Sequence, residues 1–115
     1  RILMIGLSYK RNVADVRESP SLVLMERLEA RGARVRVHDP HVAAVPPTRR
    51  HAPLAGRATV PLTPEAVREA DAVLIATDHD AVDYALVGRE ARLVVDTRNA
   101  MRRRAVETAG RLVLA

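Results

Sequence analysis

The chain has 115 residues, 48% of them apolar, which suits one domain with a single core. The absence of cysteine excludes disulfides, thiolate metal sites and a cysteine nucleophile within this sequence, and fits a reducing, cytoplasmic compartment. The net charge of +5 favours anionic ligands, whereas two Tyr without Phe or Trp offer little stacking surface for nucleic acid. No apolar run reaches the roughly 18 residues of a membrane helix.

The first forty residues predict a β-α-β unit. Residues 2–6 form an apolar run that ends in glycine, which indicates a short buried strand, and the polar residues 7–18 predict a long loop. Ser19 and Pro20 are typical of a helix start, and Gly32 is typical of its end. Residues 34–38 alternate as a half-covered strand does. A helix between two strands predicts that these strands are parallel.

The remainder repeats this alternation of helix and strand. Residues 42–62 contain four of the seven prolines and predict the least ordered stretch, with a short edge strand at 57–60. Further elements are predicted in the order helix 63–70, strand 71–76, helix 80–87, strand 93–95, helix 100–109 and strand 112–114. The pattern predicts an α/β fold, an open, doubly wound, mostly parallel sheet with helices on both faces. Because the sequence opens directly on an apolar strand, we expect residues 1–115 to be one domain of a longer chain.

Polar segments with unusual chemistry follow four of the predicted strands, so they should meet at the carboxyl end of the sheet. The loop after the first strand lacks the Gly-x-Gly-x-x-Gly fingerprint that brings a pyrophosphate to a helix N-terminus. It offers Lys10 and Arg17 instead, whose side chains can reach phosphate oxygens. Lys10 is the single lysine among 19 basic residues, which suggests a need for a compact ammonium rather than a planar guanidinium.

Each candidate also has a structural interpretation. Lys10 and Arg17 could be surface charges or partners of Asp15 and Glu18. Tyr9 could pack its ring against the sheet edge.

Two strand ends offer similar alternatives. Arg98 could pair with Asp96, and Asp39 suits a turn with Pro40 better than the ribose-binding acid of a dinucleotide site. No catalytic triad is evident. The histidines fit no metal spacing: His38, His41, His51 and His79.

Residues 6–20, GLSYKRNVADVRESP, closely resemble the signature that opens the C-terminal domain of the UDP-glucose/GDP-mannose dehydrogenase family. The family pattern is Gly-Leu, an aromatic-Lys pair, a polar spacer and Asp-x-Arg-Glu-Ser-Pro. The resemblance continues in order through residues 31–33, 38–40, 70–72, 76–78 and 95–99, and so spans nearly the whole chain.

The resemblance implies an NAD-dependent oxidoreductase that oxidises C6 of a nucleotide-sugar from alcohol to carboxylate through a cysteine-bound intermediate. It places the cysteine and the main NAD site in N-terminal and central domains, so we expect no catalytic residue here. The full enzyme is expected to be a homo-oligomer in the cytoplasm, with a role in polysaccharide biosynthesis. By position, Tyr9 and Lys10 match the pair that meets the nucleotide-sugar, Arg98 an arginine near its diphosphate, and Arg17 an arginine that reaches the NAD pyrophosphate.

Two departures from the family pattern bear on the substrate. Val13 and Ala14 replace the more usual Thr/Val-Asp, which removes one polar group from the loop. Residues 77–79, 83–84 and 96–99 look more similar to the UDP-N-acetylhexosamine branch, acting on UDP-N-acetylglucosamine or UDP-N-acetylmannosamine, than to the UDP-glucose branch. A nucleotide-binding or oligomerisation module without catalysis is the alternative function.

Overall fold

The computed structural model describes residues 1–16 and 19–115. Five parallel strands form one sheet in the order β2-β1-β3-β4-β5. The strands are β1 (Ile2–Ile5), β2 (Val35–His38), β3 (Ala72–Ile75), β4 (Leu93–Asp96) and β5 (Arg111–Leu114). The helices are α1 (Pro20–Ala30), α2 (Pro64–Glu69), α3 (Tyr84–Glu90) and α4 (Ala100–Arg103), and residues Ala52–Leu54 form a 3-10 helix. The predicted α/β fold with a parallel sheet is confirmed.

The sheet carries a hydrophobic cluster on each face, because alternate strand residues point to opposite sides. On one face, Leu3 and Ile5 pack with residues of α2, α3 and α4, such as Val67, Val87 and Met101. On the other, β1 and β2 residues pack with α1 and with segment 42–54; they include Met4, Val37, Leu22, Met25, Val45 and Leu54. The helices therefore lie on both faces, as a doubly wound sheet requires.

Helix α1 begins and ends where the sequence predicts. Ser19 is its N-cap, with a side chain that accepts a hydrogen bond from the Ser21 N–H, and Pro20 occupies the first turn. Arg31 is the C-cap, and Gly32 follows with a φ of +92° that few other residues adopt.

Two other predicted helices are wrong in extent. The helix predicted at 80–87 begins only at Tyr84, because the Asp83 side chain caps it by accepting from the Leu86 N–H. The helix predicted at 100–109 ends at Arg103, because Ala105 has a φ of +53° and the chain turns back. Val106 then packs against the core that Met101 joins.

The proline-rich stretch is packed rather than loose. The strand predicted at 57–60 is replaced by an isolated antiparallel bridge between Ala44 and Ala58. Val42, Val45 and Leu54 are buried in the cluster that faces α1. Apolar side chains at these positions fasten the segment to the domain although its prolines donate no backbone hydrogen bonds. In the described residues, no helix combines the length and apolarity that crossing a bilayer demands.

Candidate nucleotide-binding site

The strand order reverses between β1 and β3, and open α/β sheets bind ligands outside the carboxyl ends of the strands at such a point. A depression of about 370 Å³ lies there. Its lining comes from the loops after β1, β3 and β4 and from α4: Tyr9, Lys10, Arg11, Thr77, Asp78, Arg98 and Arg103. The volume is within the usual range for small-molecule sites, about 300–1,000 Å³. Three of the four predicted site residues therefore meet at one place.

Close packing at Gly6 brings the first and third loops together. Gly6 has a φ of +97°, and a Cβ built there would lie 2.3 Å from the Thr77 Cβ. The Thr77 hydroxyl donates to the Ser8 carbonyl at 3.0 Å. Only glycine combines this conformation with this approach, so the backbone leading to Tyr9 and Lys10 is fixed against the end of β3.

Lys10 and Arg98 are the cations in this pocket that have no carboxylate within ion-pair distance among residues 1–16 and 19–115. The Arg98 Nε donates to the Ala76 carbonyl at 3.0 Å, which directs the guanidinium across the end of β3. The alternative that Arg98 pairs with Asp96 is wrong for the side chain, since Asp96 accepts from the Arg98 backbone N–H instead. Two positive groups are thus free to meet an anion.

The remaining cations of the pocket are paired with Asp78 and Asp80, and Arg11 lies 3.4 Å from Asp80. Asp78 is buried and forms ion pairs with Arg103 and with Arg104, the latter at 2.5 Å. The Arg104 guanidinium stacks over the Tyr84 ring, 4.4 Å from its centroid, and the Tyr84 hydroxyl donates to Asp78 at 3.2 Å. Burial raises the pKa of Tyr84 to about 12, so this hydroxyl stays protonated as a donor. Asp78 is therefore a fixed support rather than a free acid.

A buried polar network lies beneath the loop that carries Tyr9 and Lys10. The Asp39 carboxylate accepts from the backbone N–H groups of Leu7 at 2.8 Å and Ser8 at 3.1 Å, and from His41. The His79 ring, fully buried, lies 2.9 Å from the same carboxylate. Burial alone would raise the pKa of Asp39, but these hydrogen bonds, led by that of His79, outweigh it and lower the pKa to about 2.

Asp39 does more than the turn role predicted for it. Its Oδ1 accepts from the His41 N–H, as an aspartate in a turn does, but its Oδ2 fastens the loop after β1. It holds protein groups, so it is not available as a ribose-binding acid. Reasoning from sequence also missed His79 and Asn12, whose contacts join residues 67 positions apart. The one available signal was that both lie in loops expected at the carboxyl edge.

Tyr9 is 50% exposed at the pocket, so its ring is not packed away against the sheet. Arg17, the predicted cofactor-binding residue, lies outside the described residues. Within the described part of the chain, no three or more His, Asp or Glu side chains are grouped so that they could hold a metal ion.

The sheet is that of a doubly wound α/β domain, and the groups in the pocket that could meet an anion are side chains rather than the N–H groups of a glycine-rich turn. The sequence model for the UDP binding domain of the UDP-glucose/GDP-mannose dehydrogenase family matches residues 3–103. The chain belongs to this family.

Relatives of two substrate types are similar to the chain. A UDP-glucose 6-dehydrogenase of Bacillus subtilis is 39% identical over 103 residues, which cover 85% of this chain and 23% of that protein. A UDP-N-acetyl-D-mannosamine dehydrogenase of Pyrococcus horikoshii is 32% identical over 103 residues, covering 85% of this chain and 21% of that protein. The relatives thus include both sugar types, so the branch stays a prediction.

Solved structures show the same arrangement. The UDP-D-ManNAc dehydrogenase from Pyrococcus horikoshii superposes with a TM-score of 0.67 at 29% identity, over 97% of this chain and 25% of that one. The UDP-N-acetyl-mannosamine dehydrogenase from Staphylococcus aureus gives a TM-score of 0.63 at 27% identity, over 87% and 23%. The chain therefore spans about a quarter of the relatives that it matches.

Proposed function

We propose that this chain is the nucleotide-sugar-binding domain of an NAD-dependent nucleotide-sugar 6-dehydrogenase, and that Lys10 and Arg98 bind the diphosphate of its UDP-sugar. The observation that carries the proposal is the convergence of these two cations, without carboxylate partners among the described residues, on one pocket at the switch point of the sheet. Family membership supports the choice of UDP as the nucleotide.

The chemistry of the pocket side chains suits the binding of a nucleotide diphosphate. The Lys10 ammonium acts as a mobile point charge, and the Arg98 guanidinium keeps N–H groups for a phosphate oxygen while its Nε is held by the Ala76 carbonyl. The exposed ring of Tyr9 offers a surface for the base or sugar. Each group binds and orients the substrate; none of them is proposed to exchange a proton or an electron with it.

The reaction itself belongs to the longer protein in this proposal. NAD takes up the electrons as the C6 alcohol becomes a carboxylate, and the nucleophilic cysteine and main NAD site lie in domains beyond this sequence. Arg17 is proposed to reach the NAD pyrophosphate from this side. A homo-oligomeric assembly, a cytoplasmic location, a role in polysaccharide biosynthesis and a preference for an N-acetylhexosamine sugar belong to the same proposal.

Calorimetric titration with UDP and UDP-glucose tests the site. The variant Lys10→Ala/Arg98→Ala should lose at least about a hundredfold in affinity, since a hydrogen bond to a charged group contributes about 1.5 kcal/mol or more and each such increment is about tenfold. The matched control is Arg68→Ala/Arg92→Ala, which removes two positive charges from the opposite end of the sheet.

The control separates local contact from long-range attraction. We expect the control variant to bind as the unmodified chain does, because the change in net charge is the same in both variants. Equal losses in both would mean that affinity follows net charge alone. Equal binding by all three proteins would refute the assignment of Lys10 and Arg98.

A further inference from the structure

The buried imidazole of His79 connects three strand-end segments. Its Nε2 lies 2.9 Å from the Asp39 carboxylate, after β2, and 2.8 Å from the Ser8 hydroxyl, after β1. Its Nδ1 accepts a hydrogen bond from the backbone N–H of Asn12 at 2.8 Å. His79 itself follows β3 and is completely buried. The ring therefore holds both ends of the loop that contains Tyr9 and Lys10.

These contacts fix the protonation state of the ring. A backbone N–H can only donate, so Nδ1 must carry a lone pair and the single ring proton must reside on Nε2. That proton points towards the Asp39 carboxylate and the Ser8 hydroxyl. The imidazole is thus neutral when the loop has the conformation described here.

A second proton on the His79 ring would affect the contact at Nε2 and the contact at Nδ1 in opposite ways. The bond from Nε2 to Asp39 would become charge-assisted and stronger. At Nδ1, however, a new N–H would face the N–H of Asn12, and two donors cannot share a hydrogen bond. Among the described residues, Asn12 would then keep its side-chain contacts with Asp80, two bonds of 2.8 Å that are exposed to solvent. Protonation should therefore release the loop at Asn12, two residues after Lys10, while the end at Ser8 stays fixed.

We infer that His79 is a positioning residue that holds Lys10 in its binding conformation only while the imidazole is neutral, so that affinity for a diphosphate ligand falls as the ring takes up a proton. The ligand part of this inference rests on the proposed function. The loop part does not, because it concerns contacts within the ligand-free chain.

The charges around the ring come from each segment packed against it. Asp39 faces Nε2, and the His41 ring meets the His79 ring edge-on with centroids 4.7 Å apart. On either side in the chain, Asp78 and Asp80 are neutralised by basic groups of the first loop, of α4 and of the residue after α4, namely Arg11, Arg103 and Arg104. The ring thus faces an anion at Nε2 and a hydrogen-bond donor, the Asn12 N–H, at Nδ1.

Two substitutions separate the two states. In the variant His79→Asn, the new side chain can place its amide oxygen near the position of Nδ1. This oxygen can accept a hydrogen bond from the Asn12 N–H, as the neutral ring does. Gln in His79→Gln can place its amide nitrogen near the position of Nε2 and donate to Asp39 without the acceptor, which imitates the charged ring. Neither side chain titrates. His41→Gln is the control, since it removes the neighbouring imidazole but not the backbone N–H that Asp39 accepts.

The titrations use UDP-glucose from about pH 8 to about pH 5, where histidines titrate. UDP is unsuitable because a terminal phosphate has a second pKa of about 6, whereas the diphosphate diester keeps its charge. We expect the affinity of the unmodified chain and of His41→Gln to fall about three- to tenfold, the effect of one hydrogen bond. His79→Asn should keep the high value, and His79→Gln the low value, at every pH.

Nuclear magnetic resonance of the ligand-free chain supplies the second readout. The Asn12 amide signal should shift along the same curve as the His79 ring nitrogens. A ring that stays neutral throughout, or an Asn12 amide that ignores its protonation, would overturn the inference. So would a pH dependence that survives in both His79 variants or disappears in His41→Gln. If neither UDP nor UDP-glucose binds at any pH, the proposed diphosphate site fails, and the Asn12 signal still decides whether His79 controls the loop.

Discussion

The two ends of the sheet differ in how their basic residues are paired. At the amino end, Arg68 lies 3.1 Å from Glu90 and Arg92 lies 3.9 Å from Asp71. At the carboxyl end, Lys10 and Arg98 have no carboxylate partner among the described residues. Both ends have a depression, of about 430 Å³ and about 370 Å³ respectively. The amino-end depression is the larger one, so size does not distinguish them.

The two ends differ in whether their acidic side chains pair with the basic residues of the depression or are buried beneath it. An anion that enters the amino-end depression would have to compete with glutamate and aspartate side chains that already form ion pairs with the arginines. At the carboxyl end, the acids Asp39 and Asp78 are buried and fully engaged in holding loops, so the cations that remain face outward. A concave surface rich in arginine becomes an anion site only when its acids are occupied elsewhere.

The largest predicted difference between the ends is steric. Gly6→Ala should lower the free energy of unfolding by about 3 kcal/mol or more, because the new Cβ would overlap Thr77 in addition to the strain of a positive φ. Gly32→Ala, near the amino end, has a similar φ of +92° but open space around it, and should cost about 1 kcal/mol. Urea unfolding measures both, and equal costs would contradict the close packing inferred at Gly6.

Asp39→Asn should cost about 2 kcal/mol, since the pKa of Asp39 is lowered from 3.8 to about 2. An amide cannot accept every donor that the carboxylate accepts. Because the folded-state pKa is depressed, this contribution is complete above about pH 4 and is lost as the pH falls through about 2. The difference in unfolding free energy between the unmodified chain and Asp39→Asn should therefore become smaller in acid. Thermal unfolding measured from pH 6 downward would show this.

Asp71→Asn is the matched change at the amino end. Its carboxylate lies 3.9 Å from the Arg92 guanidinium, but both side chains are mainly exposed, so the substitution should have little effect on stability at any pH. A loss of unfolding free energy as large as that of Asp39→Asn would contradict the expected difference between a buried and a solvated carboxylate.

Tyr84→Phe should lower stability by about 1 kcal/mol, because it removes one hydrogen bond to buried Asp78 and leaves the ring in place. Tyr9→Phe is the control in the same region, and its exposed hydroxyl should contribute nothing measurable to unfolding. Differential scanning calorimetry compares the two. Equal melting temperatures would show that Asp78 is held by its arginines alone.

The smallest effect is expected at the amino end. Glu69→Ala removes an exposed ion pair of 3.2 Å with Arg36 and should change the unfolding free energy by less than about 0.5 kcal/mol. A loss above about 1 kcal/mol would mean that the amino-end charges support the fold as strongly as the buried acids do.

The fold could be predicted because its signals are local. Apolar runs of four residues mark β1 and β3, a run of three marks β4, and Ser19 with Pro20 marks the start of α1. The meeting of Tyr9, Lys10 and Arg98 followed from the rule that parallel strands place their carboxyl ends at one edge.

The sequence-based predictions are wrong where contacts between residues far apart in the chain determine the local structure. Residues 104–109 have a helical composition, but Val106 is drawn into the core beside Gly88, where a Cβ would lie 2.8 Å from its side chain. The roles of Asp39 and His79 depend on a register between three strands, which no spacing in the sequence encodes. Asp39 therefore resembled a simple turn residue.

The place of β1 in the interior of the sheet, paired on both sides, has a consequence for how ligand occupancy can be detected. β1 is hydrogen-bonded to β2 on one side and β3 on the other, so its amides should exchange with solvent only when the whole domain opens. A ligand held at the end of β1 then resists global opening rather than local fraying. Occupancy should consequently slow amide exchange in β1, β3 and β4, which pair on both sides, more than in the edge strand β5.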